Sequence, residues 1–433
     1  MEKWINPCLA DWEKIVARPQ IGSGDLEKLC RDIFREVEKE GDKALEKYTW
    51  YFDRVRIGSF RVSEEEMAEA EKKVSPALKE AIREAARNIE AFHLKQIPGS
   101  CVYESGNGFK CWQEVRGIEK VGLYVPGGSA PLFSTVLMLV IPARIALCRE
   151  IVICTPPDRE GRIAPAILWA ARYCGATAVY KVGGIQAIAA LTFGTETIPR
   201  VFKVLGPGNQ YVTAAKRFAG NYGLAMDMPA GPSEVLVLAD RTACPAYIAA
   251  DLLSQAEHGK DSQVVFVTWC PDLLEKVERE VKRQMALLPR CEIVRAAWEN
   301  ARFVVLENPE VCIQFVNEYA PEHLILNIEN YREYIAAIQN AGSVFLGSYS
   351  PESAGDYASG TNHTLPTSAF AKAYSGISID AFVKKISFQE ISEKGLRYLA
   401  PTLMTMAEQE QLYAHKNAVQ IRVGDRITKK RAL

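Results

Sequence analysis

Apolar and polar positions alternate along most of this chain in blocks that predict strands and helices in turn. In the first half, β-branched runs at 121–125, 151–154, 178–182 and 201–205 are followed by stretches with helical spacing at 132–147, 164–173, 186–191 and 212–218. In the second half, apolar runs recur at 235–239, 264–268, 303–306, 324–327 and 344–346, again separated by helical stretches. This alternation predicts an α/β fold with doubly wound parallel sheets.

The two ends of the chain follow other patterns. From Asp25 to Lys39, apolar residues recur every three to four positions, which predicts an amphipathic helix. Residues 106–108, Gly-Asn-Gly, separate two short strand-like runs and predict a β-hairpin. A β-like run at 382–388 is followed by a helix that we place from Thr402 onward. The sequence therefore predicts a helical N-terminal part and a small C-terminal extension around the sheets.

Composition narrows the class of protein. The 433 residues exceed one ordinary core, so two to three domains are expected. Hydrophobic residues make up 48% of the chain and charged residues 24%, which is typical of globular proteins. The formal net charge of -1 gives no electrostatic reason to bind nucleic acid or an anionic membrane. We therefore expect a small-molecule substrate.

Cysteine usage and the apolar runs indicate the compartment. The eleven cysteines are odd in number and form no CxxC pair, which favours reduced thiols in a cytoplasmic protein. No apolar core of signal-peptide length follows Met1. The most apolar run, 131–147, is interrupted by Pro142 and Arg144, so no membrane span is expected.

Three Gly-rich loops follow predicted strands of the first half, at 124–128, 183–186 and 206–209. Glycine allows the backbone to approach a phosphate closely, and the helix behind each loop offers free N–H groups. None of the loops has the G-x-G-x-x-G spacing of a dinucleotide-binding fingerprint. The loops alone therefore leave open a dinucleotide site and ordinary turns.

The histidines indicate a site in the second half. Four of the five lie there, each close in sequence to an acid or an amide: Gln255 and His258, Glu322 and His323, Asp356 and His363, Glu410 and His415. Histidine is the commonest metal ligand and a general base near neutral pH. Asp251, Gln255 and His258 also have the i, i+4, i+7 spacing of one helix face, although a polar stripe of this kind is usually a solvated face. The acid or amide near each of these four histidines favours a common site over four separate core histidines.

Longer motifs then carry a family resemblance: Asp227–Ser262, Tyr319–Leu324, Gly342–Pro366 and Ala414–Val419. Together with the YVPGG and GPGN loops, they resemble histidinol dehydrogenases over essentially the whole chain. The resemblance implies oxidation of L-histidinol to L-histidine through an aldehyde. It further implies NAD as the oxidant, one zinc ion per subunit and an intertwined homodimer.

The resemblance also implies roles for individual residues. The zinc ligands would be Gln255, His258, Asp356 and His415. The acid–base pair would be Glu322 and His323, and NAD would be held by Tyr124, Gln186 and Asn209. Besides the four zinc ligands and His323, the substrate would contact Ser233, His363 and Glu410.

The implied architecture has two doubly wound, incomplete Rossmann-like domains with extensions at both ends. Residues 1–24 would form an N-terminal extension. Residues 25–123 with 234–372 would form the larger domain, which carries most of the metal and catalytic site. Residues 124–233 would form a smaller NAD-binding domain, and residues 373–433 a C-terminal dimerisation segment.

The roles that the resemblance implies for His323 and Glu322 require a particular local structure. His323 would take the hydroxyl proton, and Glu322 would activate the water that adds to the aldehyde. Neighbouring residues of an extended run point to opposite faces, so a sharp turn at Pro321 must bring both side chains to one substrate.

Two other functions stay open at this point. A related zinc- and NAD-dependent alcohol dehydrogenase acting on another substrate would use the same scaffold. A zinc hydrolase in which Glu322 activates water would explain the metal ligands but not the Gly-rich loops.

Overall fold

Residues 1–18, 24–127, 131–229 and 231–429 are described by a computed structural model of the chain. The chain divides into two compact units, one formed by 1–96 with 118–382 and the other by 97–117 with 383–433. No helix among the described residues is long and apolar enough to cross a membrane.

The elements alternate in the order that the sequence pattern predicts. The strands are β1 (Glu2–Ile5), β2 (Cys101–Ser105), β3 (Phe109–Gly117), β4 (Lys120–Tyr124), β5 (Glu150–Thr155), β6 (Ala178–Lys181), β7 (Lys203–Leu205), β8 (Ala225–Met226), β9 (Glu234–Ala239), β10 (Gln263–Thr268), β11 (Arg302–Val305), β12 (His323–Asn327), β13 (Ser343–Leu346) and β14 (Val383–Ile391). The helices are α1 (Leu9–Val16), α2 (Gly24–Glu40), α3 (Asp42–Asp53), α4 (Glu64–Lys73), α5 (Pro76–Leu94), α6 (Phe133–Ile145), α7 (Pro165–Cys174), α8 (Gly184–Phe193), α9 (Gln210–Ala219), α10 (Pro245–Ala256), α11 (Asp272–Met285), α12 (Cys291–Trp298), α13 (Pro309–Tyr319), α14 (Tyr331–Tyr334), α15 (Glu352–Tyr357), α16 (Glu393–Gln409) and α17 (Tyr413–Lys429).

A six-stranded parallel sheet forms one core of the first unit, with the strand order β1-β11-β10-β9-β12-β13. Side chains of a strand alternate between the faces, so β9 directs Val235 and Val237 to one side and Leu236 and Leu238 to the other. Helices α10, α11 and α12 cover the first face, and α1 and α13 cover the second. Both faces are buried, which confirms the predicted doubly wound arrangement.

The second parallel sheet of this unit has the order β6-β5-β4-β7-β8. Helices α2, α3, α8 and α9 share one apolar core with it, and α6 packs against β4 and β5. The α/β fold with two parallel sheets is therefore confirmed. The predicted boundary between the two domains, at 123/124, falls at the last residue of β4. The division of the unit into two domains stays a prediction.

The second unit contains a three-stranded antiparallel sheet, in the order β14-β3-β2, and two long helices, α16 and α17. Its β2–β3 hairpin confirms the turn predicted at 106–108, where Gly108 has a φ of 93° that favours glycine.

Two elements differ from the sequence prediction. The edge strand β1 was not predicted, because its four residues carry no apolar pattern and parallel pairing with β11 forms it. Helix α16 begins at Glu393 rather than at Thr402. The Ser392 side chain caps its first turn by accepting from the Gly395 N–H, and Pro401 lies inside the helix, where it removes one hydrogen bond without ending it.

Candidate active site

The acid–base candidates lie at the amino edge of the six-stranded sheet. His323 is the first residue of β12, Glu322 precedes it, and Ser233 directly precedes β9. Open parallel sheets usually bind ligands at the carboxyl ends of their strands. Glu322 and His323 instead precede the apolar stretch of β12, so the candidate pair lies at the opposite edge of this sheet.

A tight turn brings Glu322 and His323 together. Ala320 has a left-handed backbone with a φ of 50°, so the required turn begins one residue before Pro321. A Cβ on Gly342 would lie 2.6 Å from the Glu322 carbonyl oxygen, so only glycine allows this close approach. The Glu322 Oε2 atom consequently lies 3.6 Å from His323 Nδ1, and both side chains are buried.

The main chain of Glu234 contacts both members of this pair. Its N–H donates to Glu322 Oε2 at 2.8 Å, and its carbonyl oxygen lies 3.2 Å from His323 Nδ1. A carbonyl oxygen can only accept, so this contact favours the tautomer with the proton on Nδ1. The Gln255 amide nitrogen lies 3.2 Å from the same Nδ1, but its two hydrogens have other acceptors in the Glu234 carbonyl oxygen and Glu352 Oε1. The His323 Nε2 atom is then available for proton transfer, and no hydrogen-bond partner for it lies among the described residues.

A cluster of metal-type ligands adjoins His323. Ligand atoms of His258, Glu352 and Asp356 all lie within 4.8 Å of one another, and Asp356 Oδ1 is 3.6 Å from His323 Nε2. The i, i+4, i+7 spacing predicted that His258 lies on the same helix face as Asp251 and Gln255. Helix α10 ends at Ala256, however, so His258 lies two residues beyond the helix. His258 is half exposed, whereas the two carboxylates are buried.

Glu352 was not singled out from the sequence, although it lies in the polar Gly342–Pro366 motif. Its side chain is 1% exposed, and burial raises the pKa of its carboxyl group well above the usual value. In the amide orientation that suits its surroundings, the Gln255 nitrogen donates to Glu352 Oε1 at 2.7 Å. The other oxygen, Oε2, has no hydrogen-bond partner among the described residues. Only the fold reveals that this carboxylate reaches α10.

The charges of this cluster stabilise a protonated His323. Burial alone would lower the pKa of His323, but the carboxylates of Glu352 and Glu322 raise it well above its ordinary value. Burial raises the pKa of Glu322, which makes its carboxylate a better base. The carboxylates therefore stabilise the imidazolium that forms when His323 takes up a proton.

His363 connects this cluster with the five-stranded sheet. Its Nδ1 lies 3.0 Å from the Asp356 carbonyl oxygen, and its Nε2 lies 3.3 Å from Thr135 Oγ1. Thr135 belongs to the first turn of α6, which follows β4. The cluster at the amino edge of one sheet therefore meets the carboxyl edge of the other.

The predicted NAD residues lie at that carboxyl edge. The Gly184 N–H donates to the buried Tyr124 hydroxyl at 3.1 Å, which joins the end of β4 to the start of α8. The Gln186 side chain is 1% exposed, and both atoms of its amide lack a partner among the described residues. Asn209 caps α9 by accepting from the N–H groups of its first turn. The first two observations fit a ligand site, and the third gives Asn209 a structural role as well.

Comparison with known proteins decides the family. The family model described as histidinol dehydrogenase matches residues 16–423. The histidinol dehydrogenase of Bacteroides thetaiotaomicron is 53% identical over 418 residues, which cover 96% of this chain and 98% of that protein. The chain belongs to the histidinol dehydrogenase family.

Other histidinol dehydrogenases agree with this assignment. The protein of that name from Escherichia coli K12 is 48% identical over 423 residues, which cover 97% of this chain and 96% of the relative. A crystal structure of histidinol dehydrogenase from Elizabethkingia anophelis superposes with a TM-score of 0.96 at 53% identity, covering 98% of each chain. This family membership makes the protein an oxidoreductase.

Two site residues implied by the histidinol dehydrogenase resemblance lie in the second unit. Glu410 follows the last turn of α16, and His415 lies in the first turn of α17. Both side chains are exposed within the chain. Their parts in substrate and metal binding stay predictions.

Proposed function

We propose that this protein is an L-histidinol dehydrogenase that uses zinc and NAD to oxidise L-histidinol to L-histidine in two steps. The observation that carries this proposal is the position of Glu322 and His323 beside the His258, Glu352 and Asp356 cluster. A base for each oxidation and a set of metal-type ligands thus lie close together in one site.

The donor set supports a divalent cation. Two buried carboxylates, Glu352 and Asp356, converge with a histidine nitrogen, and Glu352 Oε2 lacks a hydrogen-bond partner among the described residues. Buried carboxylates that face each other are costly unless a positive charge lies nearby. Gln255, His258 and Asp356 would hold one zinc ion per subunit together with His415, and Glu352 would orient the Gln255 amide.

Each cofactor supplies one part of the chemistry. When bound, zinc would hold and orient the amine and imidazole of histidinol, and NAD would accept the two electrons and the hydrogen removed in each oxidation. The chain's own residues bind the substrate and move the protons. Ser233, His363 and Glu410 would complete the contacts with the substrate.

His323 is the base of the first oxidation. Its Nε2 atom takes the hydroxyl proton while the C–H hydrogen leaves carbon with its electron pair, and the alcohol becomes the aldehyde. The Glu234 carbonyl oxygen keeps the other ring proton on Nδ1. The neighbouring carboxylates of Glu322 and Glu352 stabilise the imidazolium that forms.

Glu322 is the base of the second oxidation. Its carboxylate takes a proton from the water that adds to the aldehyde carbon, while His323 returns the proton of the first oxidation to the aldehyde oxygen, which gives a hydrate with a new C–O bond. Loss of the remaining C–H hydrogen with its electron pair, and of a hydroxyl proton to His323, then gives the carboxylic acid. The N–H of Glu234 keeps Glu322 Oε2 in place and leaves Oε1 for the water.

NAD would bind at the carboxyl edge of the five-stranded sheet. Tyr124 ends β4, Gln186 lies in the first turn of α8 and Asn209 directly precedes α9, and the Thr135–His363 contact joins this edge to the catalytic cluster. The unpartnered, buried Gln186 amide supports a polar ligand there.

The exposed surface of the second unit supports the proposed intertwined homodimer. Large apolar side chains are exposed on β14, α16 and α17, among them Phe388, Tyr398, Met406, Tyr413 and Ile421. Apolar surface of this extent is typical of protein interfaces. In such a dimer, the exposed Glu410 and His415 would be available to a neighbouring chain.

Substrate analogues test the proposed specificity. We expect that an amino alcohol without the imidazole, such as L-leucinol, and an imidazole alcohol without the amine lower kcat/KM at least about 1,000-fold, because each leaves polar site groups unpaired. Initial rates of NADH formation with zinc present give the comparison. Similar kcat/KM for L-histidinol and L-leucinol would favour a broader alcohol dehydrogenase.

A further inference from the structure

Arg18, near the N-terminus of the chain, holds the carboxylate of Glu234 in place. Glu234 is 1% exposed, and Arg18 reaches it with a two-point contact, in which Nε donates to Oε1 and Nη2 donates to Oε2, both at 3.0 Å. The Ser368 N–H also donates to Oε1 at 2.8 Å. A planar guanidinium fork of this kind fixes the carboxylate in direction as well as distance.

Arg18 also contacts the segment that leads to the catalytic turn. Its Nη2 donates to the Tyr319 carbonyl oxygen at 2.6 Å, and its guanidinium carbon lies 3.7 Å from the centre of the Tyr319 ring. Tyr319 is the last residue of α13, directly before the left-handed Ala320. One guanidinium group therefore joins the start of β9 to the turn that presents Glu322.

The contacts of Arg18 are linked to the two proton-transfer residues through Glu234. Glu234, whose side chain binds Arg18, contacts Glu322 through its main-chain N–H and His323 through its main-chain carbonyl oxygen. A shift of β9 at this residue would move both contacts at once. Misplacement of catalytic groups by about 1 Å costs on the order of 100-fold in rate.

We propose that Arg18 and Glu234 are positioning residues, which hold Glu322 and His323 in their catalytic geometry through the Glu234 main chain. The inference rests on the proposed roles of Glu322 and His323. It gives the segment that precedes α2 a part in the reaction, although Arg18 contacts neither member of the acid–base pair directly.

Two variants test the arginine. Arg18→Lys keeps the positive charge but loses the fork, whereas Arg18→Ala leaves the buried Glu234 carboxylate without its charged partner. With histidinal as substrate, we expect kcat to fall about 100-fold in Arg18→Ala and about tenfold in Arg18→Lys, with little change in KM. The matched control is Arg283→Ala, which removes an exposed arginine that also pairs with a glutamate, Glu280.

A double-mutant comparison separates positioning from general stability. If Arg18 acts by placing Glu322 and His323, then Arg18→Ala costs about tenfold in kcat instead of about 100-fold once Glu322→Gln has removed one of the two placed groups. Rates are measured well below the Tm of each variant, and Arg18→Lys replaces Arg18→Ala if the alanine variant does not fold.

The outcomes are distinct. Non-additive losses of kcat from Arg18 and Glu322 would support the inference. An unchanged kcat in both Arg18 variants with only a lower Tm, or losses that multiply fully, would overturn it. A wild-type rate in Glu322→Gln alone would overturn the role of Glu322, and this inference with it.

Discussion

Replacement of Glu322 by glutamine is expected to slow histidinal oxidation about 1,000-fold, while histidinol oxidation stays within about tenfold of the unaltered protein. The amide has the shape of the carboxylate and can accept the same hydrogen bond from the Glu234 N–H, so the site geometry is retained. It cannot take a proton from water. The loss therefore falls on the step that needs added oxygen.

The two oxidations can be measured separately. NADH formation from histidinal reports the second step, and NADH formation from histidinol with semicarbazide to trap the aldehyde reports the first. His323→Ala is expected to impair both steps, and Glu310→Gln, which alters an exposed residue of α13, neither. Equal, small effects of Glu322→Gln and His323→Ala would contradict the division of roles.

Removal of the metal is expected to abolish turnover without unfolding the chain. His258 and Asp356, which would hold the ion together with Gln255 and His415, offer one nitrogen and one carboxylate beside the buried Glu352 carboxylate, which suits zinc or manganese. Dialysis against a chelator, followed by measurement of activity, zinc content and circular dichroism, tests this expectation. Added zinc or manganese should restore the activity.

A ligand variant tests the location of the metal. His258→Ala is expected to weaken zinc binding at least about 100-fold, because it removes a direct ligand rather than a supporting contact. The measurement is equilibrium zinc binding by competition with a coloured chelator. Lys260→Ala, an exposed neighbour, serves as the control. Unchanged zinc affinity in His258→Ala, or full activity in zinc-free protein, would contradict the proposed metal site.

Periodicity predicted the fold well where both faces of a strand or one face of a helix are buried. The runs 235–239 and 264–268 correspond to β9 and β10, because each residue of these strands packs into a core. The same reasoning missed β1, which is held by backbone pairing at a sheet edge. It also misplaced the start of α16, because Pro401 lies within that helix.

The site was less accessible to sequence reasoning than the fold. Local motifs brought out Gln255, His258 and His323, which the structure brings together. The contribution of Glu234 comes from its main chain, which has no residue-specific signature. Arg18 contacts it across 216 positions of sequence, and Glu352 reaches Gln255 from another helix. Such long-range contacts follow from the three-dimensional fold and not from spacing.

In the proposed function, one site carries out both oxidations. The most direct test is the amount of NADH formed per L-histidinol consumed, with zinc present and NAD in excess. We expect about two NADH per histidinol, with L-histidine as the product. One NADH per histidinol with the aldehyde accumulating, or no NADH at all, would contradict it.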